Sequence, residues 1–223
     1  MSEAGGDFTV KKNIEQPMRD GTILMADIYL PEGEGPWPVL LERTPYSKEN
    51  SSEVQAGAPP YFASRGYAVV IQDVRGRFSS DGVFLPFHDD GWGINRDGYD
   101  TVEWIAEQAW CAGNVGTIGG SYSGATQYRM APTQPPHLRA MYVRESSTDY
   151  HAEWVYRGGA FEHGFMLNWT LGLIHNNLAN MVTDEEYTRY NALLGMAKEE
   201  DAESWQNHLP LNHVTQNHHD AWW

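Results

Sequence analysis

The sequence predicts an α/β fold with a mainly parallel sheet. Three observations carry this expectation. Short apolar runs bounded by turn residues recur along the first two thirds of the chain, segments of helical periodicity fall between them, and strand signals stop after Ser147. Strands alternating with helices imply βαβ units, and those build parallel sheets.

The elements follow in order. Residues 11–18 and 22–30 are extended runs separated by Asp20-Gly21, a strong local hairpin signal. Residues 31–38 are rich in Gly and Pro and read as a loop. Val39-Leu40-Leu41 and Ala68-Val69-Val70-Ile71 are short apolar runs of the kind that form buried strands. From Asp100 the period changes: Val102, Ile105, Ala106 and Ala109 share one helical face, and Asp100 with Glu103 resembles a capping box. Asn114-Val115-Gly116 reads as the end of that helix and Thr117-Ile118-Gly119 as the next strand. A helix over 125–131 and a strand over 140–143 follow. The remainder, rich in Trp, His and Asn, reads as helical or irregular without a β element. The expected division is therefore an α/β core over 1–146 and a helical segment over 147–223.

Composition narrows the function. The 223 residues, 41% hydrophobic, suffice for a sizeable core. A net charge of −15 argues against nucleic acid, whose phosphates are bound by clustered Lys and Arg, and against anionic membranes. The single cysteine, Cys111, excludes an internal disulfide and fits a reducing compartment. No apolar run approaches the length of a membrane-spanning helix, and residues 1–10 lack signal-peptide character, so a cytoplasmic protein is expected.

The chemistry concentrates in Gly119-Gly120-Ser121-Tyr122-Ser123-Gly124, between an expected strand and an expected helix. A serine hydroxyl is a weak nucleophile and must be presented at a tight strand-to-helix turn where a base can reach it. Such a turn needs small residues two before and two after the serine, and Gly119 and Ser123 supply them, although the general G-x-S-x-G pattern is broken at Ser123. The bland alternative is a Gly-rich turn that happens to hold a serine. A phosphate-binding loop lacks its lysine here, and the glycine spacing misses a dinucleotide fingerprint.

Several segments, in one order, resemble the Xaa-Pro dipeptidyl-peptidase-like and cocaine-esterase-like family of serine hydrolases. They are Arg43-Thr44-Pro45-Tyr46, the stretch 66–76 (Gly-Tyr-Ala-Val-Val-Ile-Gln-Asp-Val-Arg-Gly), Ser80-Asp81-Gly82, the stretch 100–105 (Asp-Thr-Val-Glu-Trp-Ile) and the stretch 119–124. The resemblance implies an α/β-hydrolase fold with Ser121 as nucleophile, in a family whose pattern is G-x-S-Y-x-G. It implies that Tyr122 offers its backbone N–H to the oxyanion and Tyr46 its hydroxyl. It implies a small-molecule ester or peptide substrate and no cofactor or metal. Arg75 is expected to pair with a carboxylate and brace its loop, and Asp73 to be structural.

In this fold the triad runs Ser, then Asp or Glu, then His. The family's Asp and His follow two further strands beyond the cap, so both are expected past Trp223, with the sheet incomplete at the C-terminus and 147–223 forming part of a helical cap. A rival reading is a truncated, inactive module. A third is a metal-dependent hydrolase using His208, His213, His218 and His219, but five-residue spacings place these on different helical faces and Pro210 interrupts any helix. Asp89, Asp90, Asn95 and Asp97 miss the EF-hand pattern and read as a solvated loop. The tryptophans 154, 169, 205, 222 and 223 read as packing between helices or as the lining of an apolar pocket. Oligomeric state and the choice between ester and amide stay open.

Overall fold

The computed structural model describes residues 6–91 and 93–178, which fall into two compact units divided between Tyr150 and His151. In the first unit, β1 (Phe8–Pro17) and β2 (Ile23–Pro31) form the hairpin expected around Asp20-Gly21. Gly21 takes φ 84, a conformation glycine adopts without a Cβ penalty. Asp20 Oδ1 accepts the Thr22 N–H at 3.0 Å, so the turn supplies its own hydrogen bonds.

Four more strands complete the sheet: β3 (Trp37–Thr44), β4 (Ala68–Asp73), β5 (Cys111–Gly120) and β6 (Leu138–Arg144). The order is β1-β2-β4-β3-β5-β6; β1 and β2 are antiparallel to their neighbours, and β4, β3, β5 and β6 are mutually parallel. The expected mainly parallel sheet is present. Every residue of β4 is buried, which explains its unbroken apolar run. Helices α1 (Ser52–Gln55) and α2 (Ala58–Ala63) lie between β3 and β4, α3 (Asp97–Ala106) between β4 and β5, and α4 (Tyr122–Met130) between β5 and β6. Val102 and Ile105 of α3 and Met130 of α4 pack into one core with Ile28, Val39, Leu41, Val70 and Val115.

Three local expectations are corrected. Asn114-Val115-Gly116 does not end a helix but lies inside β5, because buried Val115 pairs with Val39 on one side and Leu138 on the other. The ladder outweighs the turn propensity of Asn and Gly. The capping box does not form: α3 starts earlier, and the N–H groups of Asp97 and Gly98 donate to the carbonyls of Asp89 and Asp90 at 2.9 and 3.3 Å. Asp100 is taken instead by Arg19 and Glu103 by His137. Helix α4 starts at Tyr122, three residues before the expected 125.

The second unit holds a π-turn (His151–Val155), the two-residue strands β7 (Tyr156–Arg157) and β8 (Ala160–Phe161), and α5 (His163–Leu178). The expectation of no β element after Ser147 is thereby corrected. Gly158 and Gly159 both take positive φ, the geometry of a two-residue hairpin loop, and strands this short leave no periodicity to read. Among the described residues no helix is long and apolar enough to cross a membrane.

The strand order positions the site. β3 lies between β4 and β5, so the connection from β3 leaves to one side and the chain returns on the other. The loops after β3 and β5 therefore meet at the C-terminal edge of the sheet, the position at which open α/β sheets bind their ligands.

Candidate active site

Ser121 sits where β5 turns into α4, with φ 53 and ψ −122. This backbone region is costly for any residue with a Cβ, by about 1–3 kcal/mol, and persists only when surroundings over-determine it. Here they do. The Ser121 N–H donates to the Arg144 carbonyl at 3.0 Å. Its own carbonyl accepts the N–H groups of Gly124 and Ala125, each at 3.0 Å, and the Ser146 hydroxyl at 2.8 Å. The end of β6 and the loop after it thus hold the turn together with the first N–H groups of α4.

The small residues expected around the serine are required by contact. A Cβ on Gly119, whose φ is +142, would lie 2.5 Å from Ser123 Cβ, and one on Gly124 would lie 2.6 Å from Ser146 Cβ.

Tyr46 stands on the loop leaving β3. Its N–H donates to Thr44 Oγ1 at 3.1 Å, and Arg77 Nε donates to the Pro45 carbonyl just before it at 2.8 Å. Burial lowers the Arg77 guanidinium to about 10. Lys48, two residues past Tyr46, donates its N–H to Asp73 at 2.7 Å, and its ammonium lies 3.5 Å from the same carboxylate. Asp73, raised by burial, therefore holds the Tyr46 loop.

The rings of Tyr46 and Tyr122 meet edge to face, centroids 6.3 Å apart. Tyr122 is 1% exposed; its hydroxyl accepts the Phe87 N–H at 2.8 Å and its ring stacks on Phe87 at 4.2 Å. Burial pushes its phenol well above the usual value, so the side chain is a neutral anchor. Phe87 stacks in turn on Tyr150, whose hydroxyl meets Ser146. The structure thus brings together the three residues singled out from the sequence: Ser121 and Tyr122 adjoin, and Tyr46 packs on Tyr122.

Sequence reasoning missed the group beneath the turn. Glu42, fully buried near the end of β3, accepts from Ser51 Oγ at 2.6 Å and from Ser123 Oγ at 2.9 Å. Burial pushes its carboxyl up to about 7, opposed by those two hydroxyls and by the charge of Arg144. The available signal was the charged pair Glu42-Arg43 directly continuing an apolar strand. Buried charges in strands have partners, and Arg43 has one in Asp90.

Arg75 braces its loop as expected, reaching Asp97 at 2.7 and 2.9 Å and Asp20 at 2.7 Å. Asp89 is engaged by Asn95 at 2.9 Å, and Asp90 and Asp97 by arginines, so the acidic residues after β4 are a packed network rather than a solvated loop. Among the described residues no group of three His, Cys, Asp or Glu is arranged to hold a metal ion. His88 lies against Asp89 and His137 against Glu103. His208, His213, His218, His219, Trp205, Trp222 and Trp223 lie outside the described residues.

A mainly parallel sheet whose connections change direction between β3 and β5, with a strained serine at the strand-to-helix turn on that edge, is the arrangement of an α/β-hydrolase. The comparisons with known proteins refine this class. Residues 20–223 match the family model described as X-Pro dipeptidyl-peptidase (S15 family), and the chain belongs to that family. It is 44% identical over 168 residues to a cocaine esterase of Rhodococcus sp. (strain MB1 Bresler), covering 74% of this chain and 29% of that protein. A CocE/NonD family hydrolase from Staphylococcus aureus superposes with a TM-score of 0.69 at 31% identity, over 78% of this chain and 34% of that one. An α-amino acid ester hydrolase gives a TM-score of 0.52 at 32% identity, covering 63% of this chain and 26% of its own. The chain therefore spans less than a third of the cocaine esterase it matches.

Proposed function

We propose that Ser121 is the nucleophile of a serine hydrolase that cleaves an ester or amide of a small molecule or peptide through an acyl-enzyme. The observation that carries this reading is the Ser121 backbone, held at φ 53 by bonds to both its N–H and its carbonyl. Strain of this kind has a use in lifting a hydroxyl clear of the turn. Ser121 Oγ attacks the substrate carbonyl carbon and passes its proton to a base. The tetrahedral intermediate expels the alcohol or amine, which takes that proton, and water then releases the acid.

The developing oxyanion needs donors already in place. The backbone N–H of Tyr122 opens α4, where the helix dipole favours negative charge, and the Tyr46 hydroxyl supplies a neutral second donor from the β3 loop. The relatives support this reading by name, as a cocaine esterase and an α-amino acid ester hydrolase, while the family name adds an Xaa-Pro peptide bond. The histidine base and its carboxylate are assigned to no described residue.

Labelling with a fluorophosphonate, followed by peptide mass spectrometry, tests the assignment in the protein that carries this chain. The adduct is expected on the peptide containing Ser121 and is expected to vanish in Ser121→Ala. An adduct on another serine, or one that survives the substitution, refutes it.

A further inference from the structure

We propose that Glu42 is a positioning residue for the nucleophile turn, its carboxyl tying Ser123 of α4 to Ser51 at the cap of α1 in a way that changes with its protonation. The role rests on Ser121 being the nucleophile. Glu42 comes two residues before Thr44, at the base of the loop that carries Tyr46, while Ser123 comes two residues after Ser121. One side chain thus joins the two elements that carry the proposed oxyanion donors. It also reaches α1, because Ser51 Oγ both donates to Glu42 at 2.6 Å and accepts the Val54 N–H at 3.3 Å.

The tie has two states. An ionised carboxylate is acceptor-only and takes both hydroxyl protons at once. A protonated carboxyl must donate its own proton, so one serine reverses its role and turns its hydrogen elsewhere. Ser123 has few alternatives, for it is buried against Gly119 and its carbonyl already accepts from Thr126 and Gln127. Changing the proton on Glu42 therefore alters the tie between the α1 cap and the first turn of α4, two residues from Ser121. The groups that face Glu42 are Ser51 of the α1 cap, Ser123 of α4, Arg144 at the end of β6 and, opposite it in β4, the apolar Ile71. Arg144 is ion-paired to Glu53 of α1, which divides its charge between two carboxyls. Burial pushes the carboxyl up to about 7, which brings its change of state into the range of the assay.

A negative charge beneath the turn also opposes the negative charge that develops on the substrate oxygen. At a separation on the order of 10 Å and an effective dielectric of about 20, ionising Glu42 slows acylation roughly tenfold. The catalytic base titrates in the same range with the opposite sign, so the two contributions must be separated by substitution.

The experiment follows acylation by a p-nitrophenyl ester against pH in the protein that carries this chain, for the wild type, Glu42→Gln, Ser123→Ala and Ser121→Ala. Isotope-edited infrared spectra of the carboxyl band report Glu42 independently of activity. Glu42→Gln keeps the shape and a hydrogen-bonding oxygen but cannot ionise. It is expected to remove the decline on the alkaline side while leaving the rise due to the base, and the infrared band lost in this variant is expected to titrate near neutrality. Ser123→Ala is expected to lower kcat several-fold with KM little changed. A Glu42→Gln profile that superimposes on the wild type, with Ser121→Ala inactive, overturns the positioning role alone. Turnover surviving in Ser121→Ala overturns the nucleophile assignment and the positioning role with it. A carboxyl band that does not titrate between the acid and alkaline limits overturns the two-state tie whatever the kinetics.

Discussion

At Tyr122 side chain and backbone do separate work, whereas at Tyr46 the hydroxyl itself is the proposed donor. Tyr122→Phe leaves the N–H of α4 in place but strips the buried Phe87 N–H of its acceptor. It is expected to cost about 1–3 kcal/mol in a denaturant melt, with little change in kcat. Tyr46→Phe is expected to act on the chemistry instead, lowering kcat by ~10²–10³. Glu42 adds a pH dependence to stability. Its carboxyl is raised from 4.5 to about 7, so the stability it contributes is full below 4.5 and is lost as pH rises to about 7. At 1.36 kcal/mol per unit the loss amounts to about 3 kcal/mol, and Glu42→Gln is expected to flatten that part of a stability-against-pH curve.

At the scale of the element, the turn from β5 into α4 is set by what cannot fit. Gly119→Ala would place a methyl 2.5 Å from Ser123 Cβ at a φ of +142 that alanine rarely adopts. Neither atom is the end of a flexible chain, so the helix must move. The expected outcome is loss of fluorophosphonate labelling at Ser121 together with a lowered melting temperature. A variant that labels normally would show that the turn tolerates a wider path. This element was legible beforehand because its constraint is local: the glycines, the serine and the small residue fall within six positions. The hairpin at Asp20-Gly21 was legible for the same reason. The start of β5 was not, since Asn114 and Gly116 have the local character of a terminator and only the partners of Val115, Val39 and Leu138, overrule it. The start of α3 has no local signature, because its N–H groups are satisfied by carbonyls of a preceding loop. Glu42 escaped notice because Ser123, the partner that links it to the nucleophile turn, is 81 residues away.

At the scale of the whole molecule, the long loop between β4 and α3 is tied to the sheet by ions rather than by apolar contact alone. Arg75 is the hub. It donates to Asp97 at the start of α3 and to Asp20 and Thr22 in the β1–β2 turn, joining three regions far apart in sequence. Its two carboxylates are not equivalent. Asp97 is 1% exposed, whereas the Asp20 side chain keeps 33% of its surface in water. Removing the arginine therefore strands a buried charge at Asp97, a defect that typically costs 3–5 kcal/mol, while removing Asp20 leaves Arg75 its other partner and opens the site to water. Arg75→Ala is expected to lower the denaturation midpoint far more than Asp20→Asn, and equal effects in the two variants would show that the turn rather than Asp97 is the dominant anchor. The Asp20 arm also has a pH signature. The Arg75 guanidinium holds its carboxyl down at about 2, against 3.8 ordinarily, so its contribution is present above 3.8 and is lost as pH falls towards 2. Asp20→Asn is expected to remove part of the acid-side loss of stability while leaving the neutral-side dependence set by Glu42 intact, because the two carboxyls sit in separate networks and are shifted in opposite directions.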